Sequence, residues 1–131
     1  MNADKNLTLI FKHFEQEHLG KDVFLVPYYL GKQLHYQVTI VYPQTATNAH
    51  FPEMIHGVKL VPLRMCKGIP LVRTWRFYLY LLRHARCINL FMRFHYSIHT
   101  RLMVVIYKLL NSGGKAYVKL DIGSLSIEKA H

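Results

Sequence analysis

From Ile88 to Asp121 the apolar and polar positions change period twice, and the chain can be read outward from that stretch. Ile88 to Phe94 is a short apolar run rich in aromatic and branched residues, the pattern of a buried strand, and it stops at His95-Tyr96-Ser97. From Ile98 the apolar residues Ile98, Leu102, Val105, Ile106 and Leu109 recur at helical spacing. Ser97 is placed to cap that helix, and Asn111-Ser-Gly-Gly supplies residues that end one, so the pattern predicts a helix over 98–110. Ala116 to Leu120 follows as a second short strand. Two strands joined by a helix of that length imply a parallel pair.

Upstream, Leu7 to Phe11 reads as a first strand, followed by a polar loop from Lys12 to Gly20. Gly20 to Leu34 has helical apolar spacing but contains Pro27, which costs ~3 kcal/mol in a helix interior, so a kinked helix is expected. Asp22 suits its amino end, and Gly31 with Lys32 its carboxyl end. Gln37 to Tyr42 is a strand closed by Pro43 and a polar turn, and Val58 to Leu63 is a weaker strand. Arg64 to Pro70 reads as loop. From Trp75 a helix carries Trp75, Tyr78, Leu79 and Leu82 on one face and Arg76 with Arg83 on another, and core packing is the expected role of Trp75, Phe77, Tyr78 and Tyr80. The order strand, helix, strand, strand, helix, strand, helix, strand predicts an α/β fold: a Rossmann-like open, mostly parallel sheet with helices on both faces. One domain over 1–123 and a short polar tail over 124–131 are expected.

Charge sharpens this picture. The 131 residues carry seventeen Lys and Arg against seven Asp and Glu, a net charge of +10. Between Met54 and Leu120 there is no carboxylate, while twelve basic residues fall there. Such a segment attracts polyanions: phosphorylated substrates, an acidic membrane surface or nucleic acid. Cys66 and Cys87 are too few for a disulfide framework and suggest reduced thiols. No signal-peptide core opens the chain, and arginines interrupt every apolar run short of a membrane span. A cytoplasmic location is therefore expected, with peripheral contact at the inner face of the plasma membrane as an extension of it.

In open parallel sheets ligands bind outside the carboxyl ends of the strands. That rule selects Gly20 and Lys21 after the first strand, His95, Tyr96 and Ser97 after the fourth, and Asp121 after the fifth. A glycine at a turn into a helix lets backbone approach a phosphate, and Lys21 adds charge, although the loop has the spacing of neither a P-loop nor a dinucleotide fingerprint. His95 is the candidate general base, with helix capping as its structural alternative. Asp121 either binds a hydroxyl or simply ends a strand. His13 and His18 flank two glutamates without a defined ligand spacing, so no metal and no cofactor is expected.

Three stretches, HLGKDVFLVPYYLGKQLHYQVTIVYP, GVKLVPL and INLFMRFHYSIHTRLMVVIYKLLNSGGKAYVKLD, resemble the amino-terminal half of bacterial glycosyltransferases of the GT-B fold, in the retaining, nucleotide-sugar-dependent group. The resemblance implies an acceptor-binding domain that faces a second, donor-binding domain across a cleft. It places the loop of Gly20 and Lys21 near the donor phosphates and makes His95 an active-site histidine touching donor sugar or acceptor. The implied partners are a nucleotide-sugar donor, held through the other domain, and a glycan or lipid-linked acceptor of cell-surface polysaccharide synthesis. The spaced glutamate pair of the donor domain has no counterpart among Glu15, Glu17, Glu53 and Glu128, and no second alternating domain follows Asp121. The chain is thus expected to be an incomplete GT-B amino-terminal domain, inactive alone. The competing readings are a non-enzymatic basic binding module and an inactive remnant, with nucleic acid the less favoured partner.

Overall fold

A computed structural model describes residues 5–11, 14–64, 70–94 and 97–119. They form a six-stranded sheet with strands β1 (Lys5–Ile10), β2 (Tyr36–Pro43), β3 (Met54–Ile55), β4 (Val58–Leu63), β5 (Leu90–Phe94) and β6 (Lys115–Lys119). Its helices are α1 (Asp22–Leu34), α2 (Pro70–His84) and α3 (Ile98–Leu110). The spatial order is β3-β4-β2-β1-β5-β6, all parallel except β3, which pairs antiparallel with β4. The chain is therefore an α/β protein with a Rossmann-like open sheet, as its element order predicts. β1 is central, and Leu7, Thr8, Leu9 and Ile10 are all buried, which is why its sequence is apolar on both faces.

Alternation along the strands divides the core in two. Leu7, Leu9, Val38, Ile40, Tyr42, Val58, Leu60, Met92 and Phe94 pack with Val23 and Phe24 of α1 on one face. Ile10, Val41 and Phe91 pack with Phe77 and Leu81 of α2 and Met103 and Tyr107 of α3 on the other. Helices thus cover both faces.

Several details differ from the sequence reading. α1 is continuous through Pro27 and ends at Leu34, where His35 takes the left-handed conformation at φ 60°; Lys32 lies in its last turn, as expected, but the left-handed terminating residue is His35 rather than Gly31. Gly31 instead permits close packing: a Cβ there would lie 2.3 Å from Val38 Cγ2 and 3.1 Å from the Tyr36 carbonyl. Part of the polar loop before α1 is a 3-10 turn, Gln16–Gly20. α2 starts at Pro70, a residue read as loop that suits a helix's first turn, where a missing N–H leaves no bond unmade. β3 was not anticipated; it is two residues long, and the His56-Gly57 turn, with φ 50° and 83°, joins it to β4 as a tight hairpin.

The largest difference concerns which side of a helix faces in. On α3, Ile98, Leu102, Val105 and Leu109 are exposed, whereas Thr100, Met103 and Tyr107 are buried. On α2, Phe77 and Leu81 are buried, while Trp75 and Leu82, expected to share a core face, are exposed. Polar groups enter the core on α3 because they find partners there: Tyr107 Oη donates to the Ile88 carbonyl at 2.6 Å, and Thr100 Oγ1 meets a buried guanidinium.

Candidate functional site

Strand order reverses between β1 and β5: β2 and β4 lie beyond one, β6 beyond the other. α1 and α3, which follow β1 and β5, pack on opposite faces of the sheet, and in open sheets of this kind that divergence sets the ligand crevice at the carboxyl edge. After β1, the chain passes Phe14 and Glu15 into the 3-10 turn and reaches α1 through Lys21. After β5, it enters α3 at Ser97, whose Oγ accepts the Thr100 N–H at 3.2 Å as the sequence anticipates for a cap.

One wall is tied down by loop-to-loop hydrogen bonds. Thr45 Oγ1 donates to Glu15 Oε2 at 3.1 Å, and Thr47 Oγ1 donates to Glu15 Oε1. Asn48, only 1 % exposed, donates from Nδ2 to the Phe14 carbonyl at 2.8 Å and the Pro43 carbonyl at 3.1 Å, while its Oδ1 accepts the Thr45 N–H at 2.7 Å. The loops that leave β1 and β2 thus behave as one unit. Within it, the Glu15 N–H donates to His18 Nδ1 at 2.9 Å. A backbone amide only donates, so Nδ1 is the accepting nitrogen of the ring in this contact. Its ring packs edge-on to Phe11 at 5.4 Å and parallel to Phe14 at 6.3 Å.

The other wall contains a buried cation. Arg93, the penultimate residue of β5, is 7 % exposed. Its Nη1 donates to the Ile10 carbonyl at 2.8 Å, and its Nε and Nη2 donate to Thr100 Oγ1 at 3.3 and 3.2 Å. The guanidinium joins the end of β1, the end of β5 and the first turn of α3. Burial pulls its pKa down to about 10, with nearby Tyr78 opposing the shift, so it stays charged at neutral pH. Among the described residues it has no carboxylate partner. Tyr78 is itself raised by burial, which Arg93 partly offsets, and its hydroxyl is 2.9 Å from His99 Nδ1. Lys119, at the carboxyl end of β6, holds its ammonium 5.5 Å from the centre of the Phe94 ring.

Of the residues selected from sequence, Gly20, Lys21 and Ser97 all lie at this edge, Gly20 and Lys21 on the α1 side and Ser97 on the α3 side. Gly20 and Lys21 are exposed, and a Cβ at Gly20 would meet nothing within 4 Å, so neither φ nor packing demands glycine there. His95, Tyr96 and Asp121 lie outside the described residues. Arg93, Thr100 and the Glu15–Thr45–Asn48 cluster were not selected. Arg93 did carry a signal: a charge inside an apolar run must face a partner or water. The Phe14 carbonyl that Asn48 reaches belongs to another loop and leaves no such mark. No group of three metal-ligating side chains occurs among the described residues. The chemistry on offer is anion recognition, by a helix amino terminus, hydroxyls and the positive charges of Lys21, Arg93 and Lys119.

A groove of about 290 Å³ lies elsewhere, at the amino ends of β2 and β4, between Tyr28, Lys32, Tyr36 and His56. Gly31 lines it too, and it lies at the opposite edge of the sheet from the loops after β1 and β5.

No protein-family model, curated protein or solved structure matches the chain.

Proposed function

We propose that the chain is the acceptor-binding domain of a glycosyltransferase, working with a donor-binding domain to move a sugar from a nucleotide sugar to a glycan or lipid-linked acceptor. The observation that carries this reading is the reversal of strand order between β1 and β5, with Gly20, Lys21 and Ser97 at the carboxyl edge beside it. The resemblance of LGKDVFLVPYYLGK and YKLLNSGGKAYVKLD to GT-B amino-terminal domains supports it independently. Anionic groups of the substrates suit an edge that carries Lys21, Arg93 and Lys119. Glu15 is turned to the loop hydroxyls of Thr45 and Thr47, whose hydrogen bonds its carboxylate accepts. His95 is the proposed catalytic residue, following β5 directly in sequence.

Titrating the isotope-labelled chain with short polyprenyl-diphosphate-linked sugars should move amide resonances in segments 14–21, 44–48 and 97–101. Nucleotide sugars alone should move few. Absence of shifts with every glycan probe, or shifts confined to the amino-edge groove, would overturn the assignment. In an assembly competent for transfer, His95→Ala should lower kcat by roughly 10²–10⁴-fold, the usual contribution of a general acid or base.

A further inference from the structure

α3 presents its apolar stripe to solvent. Ile98, Leu102, Val105 and Leu109 are 63, 45, 49 and 79 % exposed, and their spacing of four, three and four residues sets them in one line opposite buried Met103 and Tyr107. The line extends about 17 Å at 1.5 Å per residue. α2 packs alongside through Tyr78 and His99, and it exposes Trp75 at 43 % and Leu82 at 54 % on the same side of the sheet. Scattered apolar residues on a surface need no explanation, but a continuous line over three turns does.

Among the described residues of α2 and α3, the charges have one sign. Arg101 and Arg83 are exposed beside it, Lys108 is exposed on α3, and neither helix contains an aspartate or glutamate. The Arg76 guanidinium lies 5.3 Å from the centre of the Trp75 ring. We propose that the outer face of α2 and α3 docks on an anionic lipid bilayer, with the aliphatic line in the headgroup–acyl boundary and the arginines among the lipid phosphates.

Charge complementarity selects this occupant. A protein partner would have to match an apolar strip with a wholly acidic rim, whereas an anionic bilayer offers both by construction. Tryptophan favours the same interfacial depth. Docking is peripheral, because no helix among the described residues is long and apolar enough to cross a membrane. Ile98 adjoins Ser97, so the bilayer would lie beside the amino end of α3 and the crevice would open at the membrane surface. The inference rests on the surface alone and does not depend on the transferase reading.

Trp75 is the only tryptophan in the chain and reports directly on this face. With vesicles of mixed phosphatidylglycerol and phosphatidylcholine, its emission should shift to the blue and the chain should co-sediment, both effects weakening as salt rises. Vesicles of phosphatidylcholine alone should give little of either. Arg83→Gln with Arg101→Gln should lower partitioning by about 30-fold, from ~1 kcal/mol per basic residue near an anionic surface. Leu102→Gln with Leu109→Gln should lower it by roughly tenfold or more. Leu34→Gln, an equally exposed change on α1 across the sheet, should leave partitioning unchanged. Wild-type chain that ignores anionic vesicles, or variants that partition like wild type, would overturn the proposal. So would sedimentation equilibrium showing self-association that Leu102→Gln abolishes, which would assign the face to a second copy of the chain. None of these readouts involves sugar chemistry, so failure here and failure of the transferase reading are separable.

Discussion

Tyr107 shows how a single buried polar atom is held. Its ring fills the core beneath α3 against Phe91, at a centroid distance of 5.3 Å, and its hydroxyl donates to the Ile88 carbonyl. Asn111 Nδ2 donates to the same carbonyl at 2.8 Å. The phenol occupies space that only a glycine leaves open, since a Cβ on Gly114 would lie 1.9 Å from Tyr107 Oη. Burial raises the Tyr107 pKa to about 12. In the unfolded chain the phenol ionises near 10. Its contribution to stability is therefore full below about pH 10 and is lost as pH rises through 12. Tyr107→Phe should cost about 1 kcal/mol at neutral pH, because Asn111 keeps the carbonyl paired. Denaturant titrations at rising pH should show a shallower alkaline loss in the variant than in wild type; equal slopes would mean that other groups control the alkaline limb.

At the level of elements, α1 sits on its face of the sheet because position 31 has no side chain. Alanine there gains helix propensity, about 1 kcal/mol over glycine, but drives a methyl into Val38 and toward the Tyr36 carbonyl. Overpacking of this kind costs ~1–3 kcal/mol, and the carbonyl is backbone that cannot rotate away, so Gly31→Ala should be net destabilising. Adding Val38→Ala should recover part of the loss, giving a double-mutant coupling of roughly 1 kcal/mol; strict additivity would show that the helix shifts freely instead. In the sequence Gly31 reads as a helix end, since glycine near Lys32 is a stop signal. The contact that explains it comes from β2, which local pattern does not contain.

The same limit explains α3. Helical periodicity marked Ile98, Leu102, Val105 and Leu109 as one stripe, and they do share a line, but periodicity has no sign. The inward side was decided by partners distant in sequence: Ile88 for Tyr107, and Arg93 for Thr100. Element type and boundaries were far more legible. β4 and α3 have the expected bounds, and the Ser97 cap makes its expected bond, because these depend on neighbours within a turn or two.

For the molecule as a whole, Arg93 joins the two halves of the sheet where their order reverses. It links β1 to β5 and α3 through hydrogen bonds to Ile10 and Thr100. A buried cation without a carboxylate among the described residues is costly to desolvate, so removing the charge and removing its acceptor should differ. Arg93→Met keeps most of the volume and relieves desolvation, and should change stability by no more than ~1 kcal/mol. Thr100→Val leaves the guanidinium buried with one acceptor fewer and should cost ~1.5–3 kcal/mol. Chemical denaturation of the two variants tests the order. A larger loss for Arg93→Met would mean that the hydrogen bonds outweigh the buried charge.

The sequence by itself determined that this chain is an α/β protein with a mostly parallel sheet, because alternating short apolar runs and amphipathic helices have few other ways to bury their surfaces. It also located the carboxyl-edge loops, since Gly20, Lys21 and Ser97 follow strands whose ends are visible in the pattern. Only the tertiary structure decided the strand order β3-β4-β2-β1-β5-β6 and hence where the crevice opens, which side of α3 is covered, and that Arg93 lies buried between β1 and α3. Those outcomes depend on contacts between residues far apart, such as Arg93 with Ile10 and Asn48 with Phe14, whose pairing is set by the packing of the whole sheet rather than by any local propensity.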